Sequence, residues 1–313
     1  VKIAVVAYKD WAGATYNFAS ALNNHSKHEA FFFRFHNTRL NYPTMYDVTE
    51  NNRGEIKKII ESCDVLWLGN FYEPIEELKL DTTKFDKVIL CSGASRFRLK
   101  SVRERILKHI TRLVETELIF TCFTADMTFF EPSCIFIPAC IRIDNIRKHY
   151  DYRKKNPPLI AHDSSTVFSS VRWYVGTKEF RQVISKLRKK FKFKSRVITK
   201  VENDRCLRLK APALICFDRF FITYGISAIE SATFESAVLT GVDPYVLDRI
   251  KNTTGHKCPF LVTIEKDDLE RHLTELLENR NYLDKVRYEC YNFVRGVHDG
   301  RLTVKIFDKI IGS

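Results

Sequence analysis

The sequence predicts an α/β protein built from two parallel-sheet domains that face each other across a cleft, followed by a C-terminal helical tail. Three observations carry this. Short apolar runs alternate with amphipathic helical patterns through the first half. A polar, basic stretch closed by Pro157 and Pro158 then interrupts the pattern, and the alternation resumes beyond it. At 313 residues, 45% of them hydrophobic, the chain exceeds the size at which a single core usually keeps growing and has the apolar content for two.

Taken in order, KIAVVAY reads as a buried first strand, and GATYNFASALNNH carries apolar residues at helical spacing, giving a strand, a short loop and a helix. EAFFFRF, CDVLWLGN, KVILCSG, LIFTCF and CIFIPAC follow as strands, with EIKKIIES and VRERILKHITRLVE as helices between them. Apolar runs joined by amphipathic helices imply a sheet covered on both faces, hence a doubly wound, Rossmann-like domain over 1–145. The segment NIRKHYDYRKKNPP suits an exposed crossover, with a linker at 146–156. A second series spans 157–290. PLIAHDS, SRVITKV, PALICFD and FLVTIEK are its strands, TKEFRQVISKLRKKF a helix, and ISAIESATFESAVLTG a helix with its exit. Residues 291–313 complete the tail as a helix expected to cross back to the first domain.

Composition narrows the function classes. No run approaches the roughly 18 consecutive apolar residues of a membrane span, and VKIAVVAY has neither the basic region nor the cleavage site of a secretory leader. The expectation is a cytoplasmic protein that could also sit peripherally on the inner membrane face. Nine cysteines, an odd number without a C-x-x-C pair, suggest neither a disulfide framework nor a zinc site; they read as reduced, mostly buried thiols. A formal net charge of +13 favours a polyanionic partner, whether nucleic acid, an anionic membrane or a phosphorylated substrate. The densest basic segment, KLRKKFKFKSR, has two readings: a solvated helix end running into a strand with inward Phe residues, which is favoured, or an anion-binding face.

The stretch FDRFFITYGISAIESATFESAVLTG, residues 217–241, carries the most chemical information. A strand ends at Phe217 and Asp218, a loop passes through Tyr224 and Gly225, and Ser227 is placed to cap a helix starting near Ala228. Such a loop aims backbone N–H groups and the positive helix end beyond the strand, which is how α/β folds hold phosphates. Glu230, expected in that helix's first turn, could accept hydrogen bonds from a ribose diol; alternatively it is only a glutamate favoured by the helix dipole.

This stretch resembles the donor-binding segment of retaining GT-B glycosyltransferases of the family 4 type. In that family an aromatic residue, a glycine and a short apolar stretch precede a Glu-Ser/Ala helix. GATYNFASAL resembles that family's first glycine loop and helix. PAC-IRIDNI resembles its interdomain signature, LIAHDSS the strand opening its second domain, and NFVRGVHDGRLTVKIFDKI with His298 its closing helix. The resemblance implies that Glu230 binds the nucleotide ribose and that Tyr224, Gly225, Ile226 and Ser227 line the sugar and diphosphate. It places Gly13 facing the diphosphate from the first domain, and Arg172 and Lys178 in the places of the Arg and Lys that neutralise the leaving group. Ile222 stands where the family has an earlier glutamate, so donor-sugar recognition by that carboxylate is absent. Ser92 and Gly93 replace a His-Gly.

The implied activity moves a sugar from a nucleotide-diphosphate sugar of the UDP or GDP type to an acceptor hydroxyl, with retention. It needs neither a protein nucleophile nor, since no Asp-x-Asp occurs, a metal. No permanently bound cofactor and no obligate protein partner is implied. Arg96 and Arg98, after a strand end, are candidates for an anionic acceptor; Asn70, with Tyr72 and Glu73, could bind an acceptor hydroxyl, Glu73 being a distant candidate base; His162, with Asp163, could line the cleft, His162 being equally well a structural histidine. A cell-envelope saccharide or lipid-linked sugar is placed ahead as acceptor. The alternatives are DNA carrying hydroxymethylated bases, as in phage DNA-glycosylating enzymes, with a flipped base entering the cleft, and a non-catalytic nucleic-acid-binding protein.

Overall fold

A computed structural model describes residues 1–10, 12–38, 41–69, 71–92, 95–151, 157–163 and 175–312, apart from the side chains of Ser95 and Arg96. The chain folds as two compact units, one formed by 1–141 with 300–313 and the other by 142–299.

The first unit runs β1 (Lys2–Lys9), α1 (Ala14–His25), β2 (Glu29–His36), β3 (Tyr46–Asp47), α2 (Arg53–Glu61), β4 (Val65–Gly69), α3 (Glu73–Leu78), β5 (Lys87–Ser92), α4 (Lys100–Leu113), β6 (Glu117–Cys122), α5 (Met127–Phe130) and β7 (Ile135–Phe136). The strands form one parallel sheet in the order β3-β2-β1-β4-β5-β6-β7. That order reverses direction between β1 and β4, the doubly wound arrangement whose crevice lies beyond the carboxyl ends of those two strands. The runs VLWLG and KVILCS are buried along their whole length, as strands covered on both faces must be.

The second unit runs α6 (Ile143–His149), β8 (Leu159–Asp163), α7 (Thr177–Leu187), β9 (Lys194–Ile198), α8 (Asn203–Lys210), β10 (Ile215–Phe217), α9 (Ile226–Thr233), β11 (Ala237–Thr240), α10 (Pro244–Thr254), β12 (Leu261–Val262), α11 (Lys266–Glu278) and α12 (Arg280–Val297). Its parallel sheet has the order β12-β11-β10-β8-β9, and here the switch point lies between β8 and β10. A last helix, α13 (Arg301–Ile311), belongs to the first unit. Phe307 meets Phe18 of α1 edge-on at 5.2 Å, and Phe18 stacks on Trp67 of β4 at 4.7 Å. Thr303 Oγ1 donates to the Pro138 carbonyl over 2.8 Å, and Lys87 Nζ to that of Ile310 over 3.1 Å.

Several elements differ from the sequence reading, each for a local reason. The crossover begins as helix α6, because Ile146 and Tyr150 pack on Leu207, Ala211 and Phe234 while Arg147 pairs with Glu235 at 2.7 Å. Within 226–241, read as a helix with its exit, the helix stops at Thr233, Glu235 takes a left-handed φ of 56°, and AVLT enters the sheet as β11. The tail over 291–313 is two helices, broken at Gly300, whose φ of 101° suits glycine. All nine cysteines are buried and outside any disulfide, and among the described residues no helix is long and apolar enough to cross a membrane.

Candidate functional site

The switch point of the second unit holds a buried ionic cluster. Asp163, the last residue of β8, projects its Oδ2 to within 2.6 Å of Lys210 Nζ, and Glu230 Oε2 of α9 approaches the same ammonium to 2.7 Å. All three side chains are at most 5% exposed. Ser227 ties the pair together: its hydroxyl accepts from Lys210 at 3.0 Å and donates to Asp163 Oδ2 at 2.8 Å. Cys206 Sγ donates to the same carboxylate oxygen, and Asn203 Nδ2, at the start of α8, donates to Glu230 Oε1 at 3.0 Å. Burial opposes a charge on Lys210, but the pull of Asp163 and Glu230 outweighs it and holds the ammonium well above its ordinary pKa. Burial pushes the Cys206 thiol up, so it stays protonated.

Sequence reasoning misplaced the cap of α9. The helix begins at Ile226 with Gly225 as its extended N-cap, so Ser227 lies inside the first turn and turns its hydroxyl to the cluster instead. Glu230 consequently sits beyond the first turn, 4% exposed, and is held by Lys210 and Asn203 rather than by the helix dipole alone. The turn starts early because Asp218, just past β10, gathers the loop: its Oδ2 accepts from Gly225 N at 3.2 Å, Arg219 Nε at 3.0 Å and Thr240 Oγ1 at 3.3 Å. The first amides of α9 have no carbonyl partner within the helix and point beyond the carboxyl edge of the sheet.

The other predicted residues divide. Tyr224 is buried among Phe260, Phe293 and His298, and its hydroxyl shares a 3.0 Å hydrogen bond with His298 Nε2. His162 is fully buried, so the structural alternative describes it: Nδ1–H donates to the Phe217 carbonyl at 3.0 Å, Thr177 Oγ1 lies 2.9 Å from Nε2, and Phe180 and Phe217 flank the ring. Burial lowers its pKa, consistent with a neutral imidazole. Lys178 is exposed in the first turn of α7. Arg172 and Asn70 lie outside the described residues, as does the side chain of Arg96. Arg98 is engaged in the first unit, its Nε 2.5 Å from the buried Asp126 Oδ2.

Gly13 precedes α1 with a φ of 66°, and a Cβ there would fall 2.2 Å from the Tyr42 ring. Glycine is therefore required by conformation and by packing. Tyr42 is held by Arg34, whose Nη1 donates to the Tyr42 carbonyl over 2.6 Å. Asp10, beside it, accepts from the Thr15 and Tyr16 amides, and burial pushes its carboxyl up to about 6. The basic segment 186–196 joins α7 to β9, where Lys194 pairs with Leu159 at the opposite end of β8 from Asp163. Phe193 is buried, as the helix-end reading expects of its Phe residues, and Arg188 donates to Ser195. Lys210, Asn203 and Arg219 were not singled out from sequence; Asp163 was placed beside His162 at the end of its strand, and Asp218 only as a strand end.

No protein-family model matches the sequence, and no curated protein matches it. Solved structures do. An alpha-glucosyltransferase in complex with UDP is similar over 100% of both chains with a TM-score of 0.72 at 12% identity. An alpha-glucosyltransferase with UDP and a 13-mer DNA containing a HMU base is similar over 100% of this chain and 99% of that one, with a TM-score of 0.68 at 11% identity. Anabaena HepE with UDP and glucose is similar over 99% of each chain, with a TM-score of 0.66 at 8% identity. The chain thus has the GT-B fold of glycosyltransferases.

Proposed function

We propose that this protein is a UDP-sugar-dependent glycosyltransferase whose donor binds at the switch point of the second unit. The observation that supports this most is the Asp163–Lys210–Ser227–Glu230 cluster beside the start of α9. A carboxylate fixed by Lys210 and Asn203 keeps one orientation, as reading a ribose diol demands, since a floppy acceptor would lose entropy on binding. The amides of Ile226 and Ser227 at the helix start, with Gly225, take the diphosphate. The UDP complexes of the similar structures favour UDP over GDP.

Transfer then needs little covalent chemistry from the protein. UDP is a good leaving group, so the work is to orient the donor, exclude water and stabilise the negative charge that grows on the diphosphate as the glycosidic bond breaks. An acceptor hydroxyl attacks on the leaving-group side, and the anomeric configuration is retained. Arg172 and Lys178 stay proposed contributors to the diphosphate through the family resemblance.

For the acceptor, the DNA reading now goes ahead of the cell-envelope one. The net charge of +13 suits a phosphate backbone, and one of the similar structures holds DNA with a modified base. The test is transfer of radiolabelled sugar from UDP-glucose to duplex DNA with or without 5-hydroxymethyluracil or 5-hydroxymethylcytosine, beside anionic vesicles carrying a lipid-linked sugar. Label in hydroxymethylated DNA alone is the expected result. Label in the lipid fraction alone would return the acceptor to the envelope, and heparin retention without any UDP binding would favour a non-catalytic nucleic-acid-binding protein.

A further inference from the structure

The proposed donor site carries a charge problem. Its buried cluster has one ammonium against two carboxylates, so it cannot itself offset a diphosphate. Lys210 is spent on Asp163 and Glu230, and Lys178 is exposed on α7. Arg219 is different. It directly follows Asp218 at the carboxyl end of β10, and its Nε and Nη2 donate to the two oxygens of that carboxylate at 3.0 and 3.2 Å. Asp218 is buried at 2% exposure whereas Arg219 keeps 25%, so the carboxylate lies beneath and the guanidinium outward. The pair is formally neutral, and its effect on a ligand is directional: an anion approaching from solvent meets the positive end first.

The guanidinium also lies across the N-cap of α9. A Cβ on Gly225 would come within 2.8 Å of Arg219 Nη2. Gly225 has an ordinary extended backbone, so its conformation does not call for glycine; a side chain there would have to displace the Arg219 guanidinium. The same Asp218 oxygen accepts the Gly225 amide and Arg219 Nε, which locks the cation to the helix start. We infer that Arg219 is a further cation that grips the donor's diphosphate at the start of α9, with Asp218 as its positioning residue. A planar guanidinium suits this task, because it can give paired N–H bonds to phosphate oxygens while fixed along its other edge.

This inference rests on the UDP-sugar reading, and the test separates the two. Affinities for UDP and for uridine are measured by calorimetry on wild type, Arg219→Ala, Arg219→Gln, Arg219→Lys and Asp218→Asn. Loss of the grip is expected to weaken UDP roughly 10- to 100-fold in Arg219→Ala while uridine stays within about twofold. Arg219→Gln is to behave alike should the alanine variant fold poorly. Arg219→Lys is to recover part of the UDP-to-uridine ratio, and Asp218→Asn is to lower the ratio to an intermediate value. Unchanged UDP affinity in Arg219→Ala and Arg219→Gln, or equal loss for both ligands, overturns the role of Arg219 while leaving UDP binding intact. Failure of the wild type to bind either ligand overturns the donor reading itself, and this inference with it.

Discussion

Replacing Lys210 by Met keeps the aliphatic stem and removes only the charge. The ammonium sits 2.6 Å from Asp163 and 2.7 Å from Glu230, with its side chain 1% exposed and each carboxylate side chain 5% exposed. Taking away one partner of a buried ion pair leaves an uncompensated charge and costs about 3–5 kcal/mol. For a domain of this size that lowers Tm by on the order of 10 °C. The pH dependence gives an independent reading. The folded-state pKa of Lys210 lies above its unfolded value, so its contribution is fully present below the unfolded value near ~10.4 and is lost as pH rises through the folded one. In that alkaline window wild type should lose about 1.4 kcal/mol per pH unit from this group, and Lys210→Met should lack that slope. The assay is urea unfolding from pH 7 to pH 11, with Lys210→Met/Glu230→Gln as a companion whose loss should fall short of the sum of the two singles. A Lys210→Met variant within about 1 kcal/mol of wild type at pH 7 would refute the idea that this ammonium holds the cluster together.

Other outcomes follow from the same geometry. Glu230→Gln should weaken UDP by roughly tenfold in calorimetry, since a neutral amide replaces a charged acceptor, while near-UV circular dichroism stays native. His162 has a depressed folded pKa, so it stabilises above its unfolded value near ~6.5 and loses that contribution as pH falls; His162→Gln should flatten the acid limb of the Tm profile. Gly13→Ala meets both a left-handed φ and the Tyr42 ring, and should cost about 2 kcal/mol or more in urea unfolding, with Tyr42→Ala relieving part of it.

Much of the architecture was legible because both sheets are made of short apolar runs that cannot sit on a surface. VLWLG and KVILCS are apolar runs of strand length, too short for a helix between their flanking turns, and are buried throughout as strands covered on both faces are. β11 was not separated from α9 because AVLT continues an apolar helical pattern; what ends the helix is Glu235, whose positive φ has no sequence signal. At the site, Glu230 stood out through its neighbours in the chain, whereas Lys210 did not. A lysine ending a helix reads as solvated, and only the packing of α8 and α9 on the end of β8 brings it between two carboxylates. His162 was ambiguous for a similar reason, since Thr177, Phe180 and Phe217 come to it from separate elements.

The most direct test of the account is a crystal structure of the wild-type protein with UDP. The ribose is predicted to face Glu230 and the diphosphate to lie at the start of α9 beside Gly225, Ile226 and Ser227. UDP bound away from β8 and β10, with the Lys210 cluster untouched by any nucleotide, would contradict it.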